Sequence, residues 1–370
     1  MKITAIMSFF VFLAGMICFY LAEKKRVLND EPKRISIGLI LGLAFIIRLI
    51  IAPLIKGFSC DMNLFRVWSQ RAAQDFTGIY QGQFFLDYPP FYLYFLAVIG
   101  KVAAILGLNG TERIYILLLK FPSIIADIAT GYILYSLAKD RLSGAWPLFT
   151  VAVYVFNPAV IINSTIWGQV DSFMVFFVAL GFYLMFSDKP HYSALPFAAA
   201  ALTKPQALIF LLVLLFELIK RRDIKLFLKT AVLGIAAVIL IILPFVFKMG
   251  VAWIIHLYVD TAESYKYASL NAFNFFALVG ANTKPDFQTL FVYSCKVWGF
   301  IFIFASVIFT AVLYYKGKGS QLPFMGALVL SLCVFMLSVR MHERYMFPVL
   351  FFLLAIFVIT RDRWSLAFLG

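Results

Sequence analysis

Apolar runs long enough to cross a bilayer, joined by short loops in which lysine and arginine collect, restrict the fold of this chain more tightly than any other feature. Lipid offers no partner to an unsatisfied backbone group, so such runs cross as helices. Residues 3–22, 35–55, 115–137, 143–163, 173–187, 192–203, 207–219, 226–247, 293–315, 322–340 and 345–360 are the candidates. They predict an all-α, polytopic transmembrane protein of about eleven spans. Composition argues the same way: 63% of the residues are hydrophobic and 14% charged, with a mean hydropathy of +0.94. Too little polar surface remains to cover a soluble domain of 370 residues.

In a soluble protein a net charge of +14 would point to nucleic acid. Here the basic residues fall in short loops: Lys24 to Arg26, Lys33 and Arg34, Lys139 and Arg141, Lys189, Lys220 to Arg222, Lys316 and Lys318, Arg361 and Arg363. That is the positive-inside bias, so no nucleic-acid partner is expected and these loops are placed in the cytoplasm. The N-terminus is then outside, and a cleaved signal peptide is disfavoured because the basic flank follows the apolar run. Residues 91–107 would invert every later loop if they crossed, so a re-entrant or surface-lying segment is expected there. The runs 192–203 and 207–219 are short and meet at Thr203 to Gln206, the form of paired half-helices lining a cavity. The cysteines show neither metal nor disulfide-framework spacing.

A single domain over 1–370 is expected, with outer loops at 56–114 and 248–292, and the chemically capable residues collect on that outer face. The stretch from Gly57 to Pro90 is polar and charged, with Asp61, Arg66, Arg71, Asp75 and Asp87. As a helix it places Met62, Phe65, Trp68, Ala72 and Phe76 on one side, the pattern either of a segment lying on a membrane surface or of an amphipathic connector with Asp61 as its N-cap. Arg48 falls inside a span and is either functional or snorkels outward past Pro53. Lys120 and Asp127 stand two turns apart on one side of another span, either paired with a neighbouring helix or facing a wet cavity. Arg340, His342 and Arg344 precede the last span on the outer side, against the charge bias, and a lipid phosphate is the partner a guanidinium fork suits best. The plain alternative is an ion pair among Glu343, Arg340 and Arg344. There is no H-E-x-x-H zinc motif, G-x-S-x-G elbow, Walker loop or dinucleotide fingerprint.

Arg48, Asp61 with Trp68, Asp87 to Pro90, Lys120 with Asp127, Asn157-Pro158 leading to Trp167-Gly168-Gln169-Val170-Asp171, Thr203 to Gln206, Asn271 to Asn274 and His342 to Tyr345 follow one another in an order that resembles the GT-C class of membrane glycosyltransferases. The nearest group is the prokaryotic proteins related to the second mannosyltransferase of GPI-anchor synthesis. The resemblance implies transfer of a sugar, mannose or another hexose, from a polyprenyl-phosphate donor to a glycan, lipid or protein acceptor amid membrane lipids. It implies a catalytic base at Asp61 and a second acidic position at Asp171. Arg344, Arg340, His342, Lys204 and Arg48 are expected at the donor phosphate, and Asp87, Tyr88, Gln169, Gln206, Asn271, Asn274 and Glu343 at the substrates. No cofactor is certain; Asp171 either orients a substrate or holds a divalent metal, Mg or Mn, with Asp61. The alternative from another class is a flippase or transporter of lipid-linked sugars, with a non-catalytic scaffold as a third reading.

Overall fold

In the computed structural model, residues 36–187, 189–362 and 364–367 are described. The expected first span at 3–22 lies outside them. Helices account for nearly all regular structure: α1 (Ile37–Ile51), α2 (Ser59–Gln74), α3 (Pro90–Ile105), α4 (Arg113–Ala138), α5 (Trp146–Val155), α6 (Pro158–Ile161) and α7 (Asp171–Met185). They continue as α8 (Ala194–Ala201), α9 (Leu208–Arg221), α10 (Ile224–Met249), α11 (Trp253–Ser264), α12 (Phe275–Leu278), α13 (Cys295–Lys316), α14 (Leu322–Leu337), α15 (Pro348–Thr360) and α16 (Trp364–Ala367). Among the described residues the one sheet pairs β1 (Thr289–Leu290) with β2 (Tyr293–Ser294) in antiparallel register.

Helix starts follow ordinary capping chemistry. Ser36 accepts the amide of Leu39, Asp223 those of Lys225 and Leu226, and Ser294 that of Val297. Among the described residues five helical segments are long and apolar enough to cross a membrane: Ile37–Leu54, Arg113–Ala138, Ile224–Met249, Cys295–Lys316 and Glu343–Thr360. The pair Trp146–Val155 and Pro158–Trp167, bent by 42°, makes six if it is one broken span. The other expected crossings fall on α7, α8, α9 and α14, helices of 15, 8, 14 and 16 residues. These are too short to carry the count of eleven by length.

Two interleaved units make up the described chain, one of residues 36–74, 95–183 and 353–367, the other of 75–94 and 184–352. In the first, α4 packs against α1, α2 and α5. Helix α1 turns a leucine and isoleucine stripe outward (Leu39, Leu43, Ile46 and Ile50) and buries Arg48. Polar inside and apolar outside is what lipid solvation selects. The surface-lying helix is a correction. Met62, Phe65, Trp68 and Ala72 of α2 are buried within the protein, Ser69 shares a hydrogen bond of 2.8 Å with Tyr115 of α4, and a Cβ on Gly100 of α3 would meet the Ser69 carbonyl. In the second unit, α13 packs on α14, and α8 on α10. The polar break appears where expected: α8 ends before Thr203, a 3-10 turn spans Pro205–Ala207, and α9 follows.

Candidate active site

The first unit gathers Asp61, Gln169 and Asp171. A π-helical turn, Ile162–Trp167, ends at Gly168, whose φ of +89° only glycine adopts without strain. The Asn163 carbonyl accepts the amides of Gly168 and Gln169, at 3.1 and 2.8 Å, while its side-chain amide donates to Asp171 Oδ2 at 3.0 Å. The turn therefore aims Gln169 at α2. There Asp61 Oδ2 accepts from Gln169 Nε2 and from the Trp167 indole N–H, the latter at 3.3 Å. Asp61 Oδ1 has no partner among the described residues, and Asp61 is partly exposed.

The buried charges of this unit are committed elsewhere. Arg48 Nε lies 3.2 Å from Asp127 Oδ2, and its terminal nitrogens donate to the carbonyls of Ala44 and Val155 at 3.1 and 2.6 Å. Both partners are fully buried. Of the two readings of Arg48 the outward snorkel is excluded by its full burial; it forms an interhelical pair that Ser164 also supports, at 2.5 Å from Asp127. Such pairs tolerate burial only when every charge is matched.

The second unit gathers another set. Lys204 lies 5.6 Å from the Tyr88 ring centroid, within cation–π range. Tyr80 donates to the Tyr88 carbonyl at 2.8 Å and Thr261 to the Asp87 carbonyl at 3.0 Å, fixing the Asp87–Tyr88 turn. Tyr265 donates to Asp87 Oδ2 at 3.4 Å and meets His342 edge-on at 5.3 Å; His342 in turn meets Tyr345, over whose ring the Arg344 guanidinium lies at 5.7 Å. Beside the break, α8 to α11 enclose an apolar cavity of about 680 Å³ whose walls include Leu202, Leu211, Ile235 and Tyr258.

Other expected site residues lie in ion pairs, caps and turns of the second unit. Arg340 bonds Asp286 Oδ2 through Nε and Nη2, at 2.7 and 2.6 Å, donates to the Ala262 carbonyl, and reaches Glu263 at 3.6 Å. Its carboxylate partners are thus Asp286 and Glu263. Lys296 and Lys266 beside Glu263, with Arg340, hold its carboxyl down to about 2. Asn274 caps α12 and donates to the Ser338 carbonyl at 3.2 Å; Asn271 is exposed and pairs with Asn282. Glu343 opens a 3-10 turn, Glu343–Met346, and Gln206 sits in the turn after Lys204. Sequence spacing marks none of Asn163, Thr261 and Tyr265: Thr261 and Tyr265 reach Asp87 from far along the chain, and Asn163 owes its place to the π-helical turn.

The family model of glycosyltransferase family 87 matches residues 85–341. The chain belongs to that family. It is a GT-C-type family of membrane glycosyltransferases, so the membrane helices and the transferase expected from the motifs are met at that level, and the flippase reading recedes. Within this GT87 protein the match takes in Asp87, Asp171, Lys204 and Arg340, while Asp61 and Arg344 lie to either side. No curated protein matches the chain. Among the described residues no three His, Cys, Asp or Glu side chains converge. A divalent ion at Asp61 and Asp171 would take its other ligands from phosphate or water.

Proposed function

We propose that the protein transfers a hexose, in the manner of the mannosyltransferases its motifs resemble, from a polyprenyl-phosphate donor to an acceptor hydroxyl at the outer face of the plasma membrane, with inversion. The observation that carries the reading is Asp61, a carboxylate held through Oδ2 by two neutral donors, with Oδ1 open among the described residues. Neutral donors fix its direction without supplying a counter-charge, which suits a base that must accept a proton. In the reaction the acceptor proton passes to Asp61 Oδ1 as the acceptor oxygen forms its bond to the anomeric carbon. The bond from that carbon to the phosphate oxygen breaks on the opposite face, and the electron pair leaves with the lipid phosphate. A phosphate departs as a stable anion, so no second carboxyl is needed to protonate it, in contrast to glycosidases. Lys204, Arg344 and His342 are the groups assigned to the developing phosphate charge, with Asp87 and Tyr88 at the substrates. Asp171, which accepts from Asn163, is assigned to orienting the acceptor or the donor.

The apolar cavity of about 680 Å³ beside Lys204 supports a donor with a long hydrocarbon tail. The purified protein, given labelled polyprenyl-phosphate hexoses with membrane acceptors, should move label to an acceptor with inverted anomeric configuration. Nucleotide sugars should yield nothing. Transfer from a nucleotide sugar alone, or retention of configuration, would refute the reading.

A further inference from the structure

Lys120 is buried in α4, and its ammonium has four partners among the described residues, all of them backbone carbonyls: Ala52 at 3.1 Å, Ile55 at 2.6 Å, Thr165 at 2.8 Å and Ile166 at 3.3 Å. An ammonium carries three donors, so one is shared. The carbonyls belong to two helix ends. Ala52 and Ile55 close α1 through the 3-10 turn Ala52–Leu54, and Thr165 and Ile166 close the π-helical turn. Helix C-termini present unsatisfied carbonyls and a partial negative charge, and a single cation here answers both.

Both helix ends lead directly into the Asp61 site. The chain leaves Ile55 for Gly57 and then α2, which carries Asp61; it leaves Ile166 for Trp167, Gly168 and Gln169, the stretch that supplies both donors to Asp61. The two segments touch each other. The Phe58 amide donates to the Trp167 carbonyl at 3.0 Å, the Phe58 and Trp167 rings lie 5.5 Å apart, and Gly57, at φ +83°, would place a Cβ only 2.5 Å from that carbonyl. The Lys120 stem also passes beneath Gly168, 3.4 Å from where a Cβ would stand.

We propose that Lys120 is a positioning residue, a carbonyl-ligated cation that clamps the Asp61 segment to the Trp167–Asp171 turn and so sets the direction of the Asp61 carboxylate. Its kinetic consequence rests on the reading of Asp61 as base; the clamp itself does not. Misplacing a catalytic group by about an ångström costs about a hundredfold in rate.

Lys120→Met should lower single-turnover transfer by about that factor, with donor KM within about twofold of the parent, because orientation and not binding is lost. Gly57→Ala, which opens the same joint without touching Lys120, should do the same. In Lys120→Ala, n-propylammonium, the part of the side chain removed, should restore part of the turnover, whereas tetramethylammonium, which has no N–H, should not. Hydrogen exchange should show lost protection in peptides covering 56–62 and 165–171 in Lys120→Met. Parental turnover and protection in folded Lys120→Met, or parental turnover in Gly57→Ala, would overturn the proposal. Should Lys120→Met fail to fold, Gly57→Ala and the amine rescue still decide. If Asp61→Asn proves fully active while the exchange change persists, the base assignment has failed and the clamp stands.

Discussion

Arg340→Ala separates a framework arginine from a phosphate ligand. Asp286 is nearly fully buried, and Arg340 supplies two contacts to its Oδ2 at 2.6 and 2.7 Å. Removing one partner of a buried pair leaves an uncompensated charge and costs about 3–5 kcal/mol. Because Arg340 keeps 16% of its side chain exposed, water reaches the site and the lower end, about 3 kcal/mol, applies. That is about a hundredfold in the folding equilibrium. The backbone adds a second signature. Arg340 has φ +63°, a conformation that strains any side chain by about 1 kcal/mol, so Arg340→Gly should be less damaging than Arg340→Ala by about that amount. Replacing both partners, Arg340→Met with Asp286→Leu, should recover most of the loss, since a matched apolar pair leaves no orphaned charge. Thermal unfolding in detergent, read by aggregation-sensitive chromatography, measures the series, and donor KM is taken on each folded variant. An Arg340→Ala protein as stable as the parent whose donor KM rises tenfold or more would refute the assignment and return Arg340 to the phosphate.

Lys204→Met should raise donor KM by about tenfold or more, because a charged partner of a phosphate is worth about 2–5 kcal/mol, while Lys204→Arg should recover part of it in the same transfer assay. Glu263 titrates at about 2 when folded and near 4.3 when unfolded. Its folded value is depressed, so its contribution is complete above about 4.3 and lost as pH falls towards 2. The stability gap between parent and Glu263→Gln should therefore hold from neutral pH to about 5 and close below it, as thermal scans against pH will show. Cys60 is exposed and Cys295 buried, so an impermeant maleimide added to intact cells should label Cys60 and lose most of its signal in Cys60→Ser. Labelling only after the inner face is opened would reverse the expected orientation.

The helices were legible in the sequence because hydropathy reports locally. The runs 115–137 and 226–247 became Arg113–Ala138 and Ile224–Met249 within two residues, and the polar break at Thr203 to Gln206 stood where its composition put it. Asp61 in the first turn of α2 was likewise readable from spacing. Spacing could not supply the destination of each charge. Arg48 and Asp127 are 79 residues apart, and nothing in either neighbourhood marks the other. Hydropathy marks Lys120 as a charge within a span, but its partners are carbonyls, which every residue carries and no sequence distinguishes. Sequence alone cannot tell a membrane-facing α2 from a protein-covered one, because an apolar stripe looks the same whether lipid or protein covers it. Tyr265 reaches Asp87 across 178 positions, beyond any periodicity.

The most direct test of the central claim is single-turnover transfer by Asp61→Asn from a labelled polyprenyl-phosphate hexose, measured beside donor binding. Asparagine keeps the size of the side chain and can still accept from Gln169 and Trp167, yet it cannot take a proton. The account predicts transfer reduced by about a hundredfold or more with donor binding nearly unchanged. Transfer at the parental rate would contradict it and send the search for the base to Asp171.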